Sequence, residues 1–133
     1  MRLLITVILT IIVLDVAMVF YVLYRRYRKK LSPATIKYIR QQWKQIIGQS
    51  DHRHAIMDAD KLLNYTLSQM GLRGSLGAKL KKSNHLFSKI NDVWKAHKVR
   101  NNIAHQINYQ VSEKVYKKTM LYFKKAFEEL DIF

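Results

Sequence analysis

The densest polar chemistry in the chain lies in Val99-Arg100-Asn101-Asn102-Ile103-Ala104-His105, where an arginine, two amides and a histidine are interleaved with small and apolar residues. Imidazole titrates near neutrality and serves as a general acid or base, while guanidinium offers a planar fork to phosphate oxygens. At 100° per residue His97, Asn101 and His105 fall on one helical stripe, which predicts a polar pocket, with Arg100 beside Asn101. His105 follows Arg100 by about 140° of helical rotation, so the two converge only if the helix frays near His105 or a second copy supplies the partner. A purely structural reading stands beside this one: His97 as a satisfied interior histidine, Asn101 as a buried amide, Arg100 as a surface cation.

Arg-x4-His with a polar residue directly after the arginine, here Arg100-Asn101 through His105, resembles the signature of the HEPN superfamily of small all-helical domains, many of them metal-independent ribonucleases. The wider pattern from Phe87 through Trp94 and His97 to His105, followed by one long final helix, also resembles small membrane-anchored bacterial proteins, and the resemblance runs from about Thr35 to Leu130. It implies a four-helix-bundle-like domain. By that analogy His105 acts as general acid or base, Arg100 stabilises the charged phosphorane and Asn101 orients one of them, with His97 and Asn102 as supporting candidates. HEPN-like nucleases typically build one composite cleft from two motif copies, which implies a homodimer. No cofactor is expected.

The elements that must position these residues begin with an anchor. Leu3 to Tyr24 is an apolar run whose clearly polar members are Thr6, Thr10 and Asp15, and as a helix it spans about 33 Å, enough to cross a bilayer. A cleaved signal peptide fits less well, because the run ends at Arg25-Arg26-Tyr27-Arg28-Lys29-Lys30 instead of a small-residue cleavage site. Tyr21, Tyr24 and Tyr27 suit an interfacial aromatic belt. The cations after Tyr24 place the C-terminal side in the cytoplasm and the N-terminus outside. Asp15 sits near mid-span, where an ionised carboxylate costs roughly 2.5–3.5 kcal/mol, so it is expected to be protonated, paired or packed against another membrane helix.

Residues 31–133 form one small all-α domain by this reading, with residues 1–30 as anchor and juxtamembrane segment. The formal charge of +15 divides into +5 for residues 1–30 and +10 for the remainder. Such a surface attracts RNA, DNA or anionic lipid. The absence of cysteine excludes disulfides, thiolate metal sites and cysteine nucleophiles.

Ser32-Pro33 caps a first bundle helix carrying Ile36, Ile39, Trp43, Ile46 and Ile47, ending near Gly48. A second starts near Ser50-Asp51, carries Ile56, Ala59, Leu63, Leu67 and Met70, and ends at Gly71 in the left-handed conformation. His52 and His54 lack the spacing of a zinc pair and are expected at the surface. Gly71 to Lys79 matches neither GxxxxGK[ST] nor GxGxxG and reads as a turn. Lys79, Lys81 and Lys82 are expected on the solvated face of a short helix. A third helix is expected from about Asn84 to His105, kinked near Asn91, with Leu86, Phe87, Ile90, Val93, Trp94 and Ile103 facing the core. Ser112 caps the last, whose apolar face is Val115, Thr119, Tyr122, Phe123, Ala126, Phe127 and Leu130, with Lys114, Lys117, Lys118, Lys124 and Lys125 mostly opposite.

Two functions follow. One is a membrane-anchored, metal-independent endoribonuclease using Arg100 and His105. The other is a membrane-tethered scaffold that binds RNA or a protein without cutting. The lack of a metal-binding carboxylate set and of a phosphate loop argues against a metal-dependent phosphodiesterase or a nucleotide kinase.

Overall fold

The computed structural model describes residues 1–26 and 30–133, with the side chains of residues 24–29 outside the description. The expected interfacial roles of Tyr24 and Tyr27, and the cations from Arg25 to Lys29, therefore lie outside the described residues. The described residues hold six α-helices and no strand, in two compact units, Met1–Lys30 and Leu31–Phe133.

The first unit is helix α1 (Arg2–Arg26), in which the stretch Arg2–Leu23 has a mean hydropathy of 2.9 and is long and apolar enough to cross a membrane. Thr6 and Thr10 donate their hydroxyls to the carbonyls of Leu3 and Val7, each at 2.8 Å, which satisfies both within the helix and presents an apolar outer surface. Asp15 is exposed on this surface.

The second unit is built on α2 (Pro33–Ile47), α3 (His52–Gln69), α5 (Ile90–His105) and α6 (Glu113–Glu129), with the short α4 (Leu76–Lys82) and a 3₁₀ turn at Asn84–Leu86 between α3 and α5. Helix starts are set by side chains that take up orphan amides: Ser32 Oγ accepts from Thr35 N, Asp51 from Arg53 and His54, Ser75 from Ala78 and Ser112 from Val115. Gly71, at φ +90°, supplies the left-handed turn that ends α3. Helix α3 packs against α2, α5 and α6, and Ile56, Leu63 and Leu67 are fully buried against Ile39, Phe123 and Phe127. Trp43 closes the α2 side, 5.3 Å from the Phe127 ring. The C-terminus is tied in as well, with Ile132 fully buried and its carbonyl accepting from Arg40.

Several expectations need correction. The third bundle helix begins at Ile90, not near Asn84, and no helix runs through Phe87–Lys89. Phe87 turns extended to bury its ring, and the next residue is held off the helical path because Ser88 donates its amide at 2.8 Å and its hydroxyl to the Glu129 carboxylate of α6. Lys79 is not on a solvated face: it is buried, and its Nζ donates to the Asn64 carbonyl at 3.1 Å, the Asn64 side-chain oxygen at 2.6 Å and Ser68 Oγ. Burial pushes the Lys79 pKa down. His52 is half-buried and stacks on Tyr116 with ring centroids 4.0 Å apart, whereas His54 is exposed beside Asp51. Ile47 points outward, and Met120 takes a core place on α6.

Candidate functional site

Helix α5 carries every residue singled out from the sequence, but they do not form one cluster. Val93, Ala96 and Ile103 fix the buried side of α5. His97 and Arg100 stand next to that side, facing α3, and there they meet a residue the motif does not contain. Asp60 of α3 is buried, and its Oδ1 accepts from His97 Nδ1 at 2.7 Å while its Oδ2 lies 3.3 Å from Arg100 Nε. The side chain of Asp60 is 5% exposed, that of His97 13% and that of Arg100 27%. Arg100 is therefore not a plain surface cation.

The two contacts to Asp60 differ in kind. His97 makes a directed hydrogen bond, which fixes Nδ1 as the protonated nitrogen and turns Nε2 away from the acid. Arg100 Nε is buried and makes no hydrogen bond, so its approach to Asp60 is an ion pair held by charge without good donor aim. The guanidinium is fixed at its other end by Nη1 donating to Asn101 Oδ1 at 2.9 Å. Of the five N–H donors of a guanidinium, about three remain for another acceptor.

Asn101 is thus brought to Arg100, as the motif implies. Asn102 turns elsewhere, accepting from Gln106 Nε2 at 3.2 Å. His105, the last residue of α5, is exposed, and its side chain makes no hydrogen bond to any described residue. The stripe His97, Asn101, His105 does not close into a single pocket, because His97 is held inward on Asp60 while His105 is exposed at the helix end; separately, the regular α5 keeps His105 about 140° and 7.5 Å of rise from Arg100. Beyond it the chain turns through Asn108 at φ +62°, leaves Ile107 93% exposed, and is tied back by Arg53 Nη1 donating to the Tyr109 carbonyl.

Asp60 joins this cluster from outside the motif. Its signal was an acid at i+4 from Ile56 and i−3 from Leu63, on the apolar face of an amphipathic helix where a carboxylate needs a partner. Among the described residues no group of three or more His, Asp or Glu side chains is placed to hold a metal ion. The chain matches no family model, no curated protein and no solved structure.

Proposed function

We propose that residues 31–133 form a HEPN-like, metal-independent endoribonuclease, held at the cytoplasmic face of a membrane by α1. The observation that carries this reading is Arg100: a buried acid and a neighbouring amide hold its guanidinium in place, yet it remains about a quarter exposed with unused donors, on the same helix as a free, exposed histidine. Fixed donors aimed at a developing phosphorane need no reorganisation during reaction.

In this mechanism a general base takes the proton of the ribose 2′-hydroxyl, the 2′-oxygen bonds to phosphorus, the P–O5′ bond breaks, and a general acid returns a proton to the 5′-oxygen. The products are a 2′,3′-cyclic phosphate and a 5′-hydroxyl. Base and acid are two groups, and each chain offers one exposed histidine in the motif. Two copies would supply both His105 side chains and bring Arg100 of one copy within reach of the RNA phosphate held at the His105 of the other. Ile107, apolar and exposed two residues past His105, supports such an interface. Asp15 in α1 supports contact within the membrane, since a second helix would relieve its exposure to lipid.

A specific observation also favours the scaffold reading. The contacts of Asp60, His97, Arg100 and Asn101 point inward, as in a buried polar network that fixes α3 against α5. The experiment that separates the two uses the full chain in detergent, incubated with structured and unstructured RNA in the presence of a chelator. Nuclease activity predicts cyclic-phosphate ends that disappear in His105→Ala; the scaffold predicts intact RNA with either protein.

A further inference from the structure

The strongest unassigned feature of the helical unit is the outer face of α6. Leu121 stands there 47% exposed, while Thr119, Met120, Phe123, Ala126 and Phe127 on the other side fill the core. Its helical neighbours at i±3 and i±4 are Lys117, Lys118, Lys124 and Lys125, so one outward leucine is ringed by four lysines. Lys117 and Lys124 make exposed pairs with Glu113 at 2.9 Å and Glu128 at 3.7 Å, near the two ends of the helix. Among the described residues Lys118 and Lys125 make no salt bridge, although Lys125 lies close enough to Asp92 of α5 to help lower the pKa of that carboxyl. Lys118 instead lies 6.0 Å from the ring of Tyr122, which Lys95 of α5 approaches at 5.8 Å.

We propose that this face of α6 docks on an anionic phospholipid surface, with Leu121 inserted among the headgroups and the lysines paired with lipid phosphates. A phosphate backbone in solution accounts for the lysines but leaves the leucine without a role. An interface that is apolar at its centre and cationic at its rim suits a lipid headgroup layer, and Tyr122 suits the same boundary. Chain connectivity adds a second argument: only residues 27–32 separate α1 from α2 along the chain, so a bilayer that holds α1 keeps the bundle on a short tether. A weak surface attraction is then exercised at high local concentration. The inference rests on the membrane anchoring proposed above and is independent of RNA cleavage. Docking in this way would fix which faces of the bundle remain open to RNA.

The chain contains no cysteine, so Leu121→Cys provides a single attachment point for an environment-sensitive fluorophore, and Lys61→Cys on α3 provides a control position. Full-length protein is placed in nanodiscs of phosphatidylcholine, or of phosphatidylcholine mixed with phosphatidylglycerol, containing a lipid-borne quencher. Quenching at position 121 should rise when phosphatidylglycerol is present and fall again at high salt, while position 61 stays unchanged. Each lysine near an anionic surface favours contact about fivefold, so Lys118→Gln with Lys125→Gln should weaken docking about 25-fold and return position 121 to its phosphatidylcholine signal. Equal quenching at position 121 in both discs, equal quenching at positions 121 and 61, or shielding that appears only when single-stranded RNA is added would each overturn the proposal. Failure of the chain to enter nanodiscs at all would overturn it together with the anchoring reading, which separates the two failures.

Discussion

Two cationic regions of the same bundle behave in opposite ways. Between α3 and α5, Arg100 and His97 are held against one buried carboxylate, with the guanidinium fixed at its other end by Asn101. On the outer face of α6, lysines surround a leucine and face solvent, either without a salt bridge or held in exposed pairs. Both regions present basic side chains. What distinguishes them is whether the cation has a counter-charge in a place that water cannot reach, because that decides whether removing it unfolds the protein or merely changes what binds.

The contrast predicts a graded series of effects. Asp60→Ala should have the largest, because it leaves Arg100 and His97 without their acid: about 3 kcal/mol of stability in a denaturant titration, reduced if water reaches the vacated site. Loss below about 0.5 kcal/mol would show that the network is not structural. Arg100→Ala should cost on the order of 1–3 kcal/mol, since the buried Asp60 keeps its hydrogen bond from His97 but loses the guanidinium. That places Arg100 among residues whose substitution disturbs both folding and cleavage, so activity loss in this variant alone cannot assign it a catalytic role.

Lys79 sharpens the comparison, being a buried cation with only neutral partners. Its folded pKa lies below the ordinary lysine value of 10.5, so the native state releases this proton before the unfolded chain does. Its contribution to stability should therefore rise with pH through the window that ends near 10.5, and melting of Lys79→Met should lack that rise when compared with the parent protein across the same range. An unchanged slope would mean that Asn64 and Ser68 fully replace its hydration. The smallest effects on stability belong to the exposed groups. Lys118→Gln and Lys125→Gln should each change stability by less than about 0.5 kcal/mol.

The helices and most of their caps were legible because they rest on local rules: Ser32-Pro33, Asp51, Gly71 and Ser112 act within one turn of themselves. The start of α5 was not, because Ser88 is held by Glu129, a residue 41 positions away that no local pattern announces. Lys79 failed for the same reason, its acceptors lying on α3. At the site, the motif marked Arg100 and Asn101 as neighbours, which they are. Asp60 is separated from His97 by 37 positions, and the only hint was a carboxylate on an apolar helical face. One chain's regular helix keeps Arg100 and His105 apart, and the nuclease proposal pairs them only through a second copy.

His105 offers the most direct test, because it is the motif residue whose side chain makes no hydrogen bond to any described residue. Full-length protein and His105→Ala should melt within about 0.5 kcal/mol of each other. In chelator, the parent should cleave RNA to 2′,3′-cyclic phosphate ends and the variant should lose that cleavage by at least about 100-fold, the lower range of general acid–base contributions. Equal cleavage by both proteins, or no cleavage by the parent over a range of RNAs and protein concentrations that includes the dimer, would contradict the account and leave the Asp60 network as a structural one.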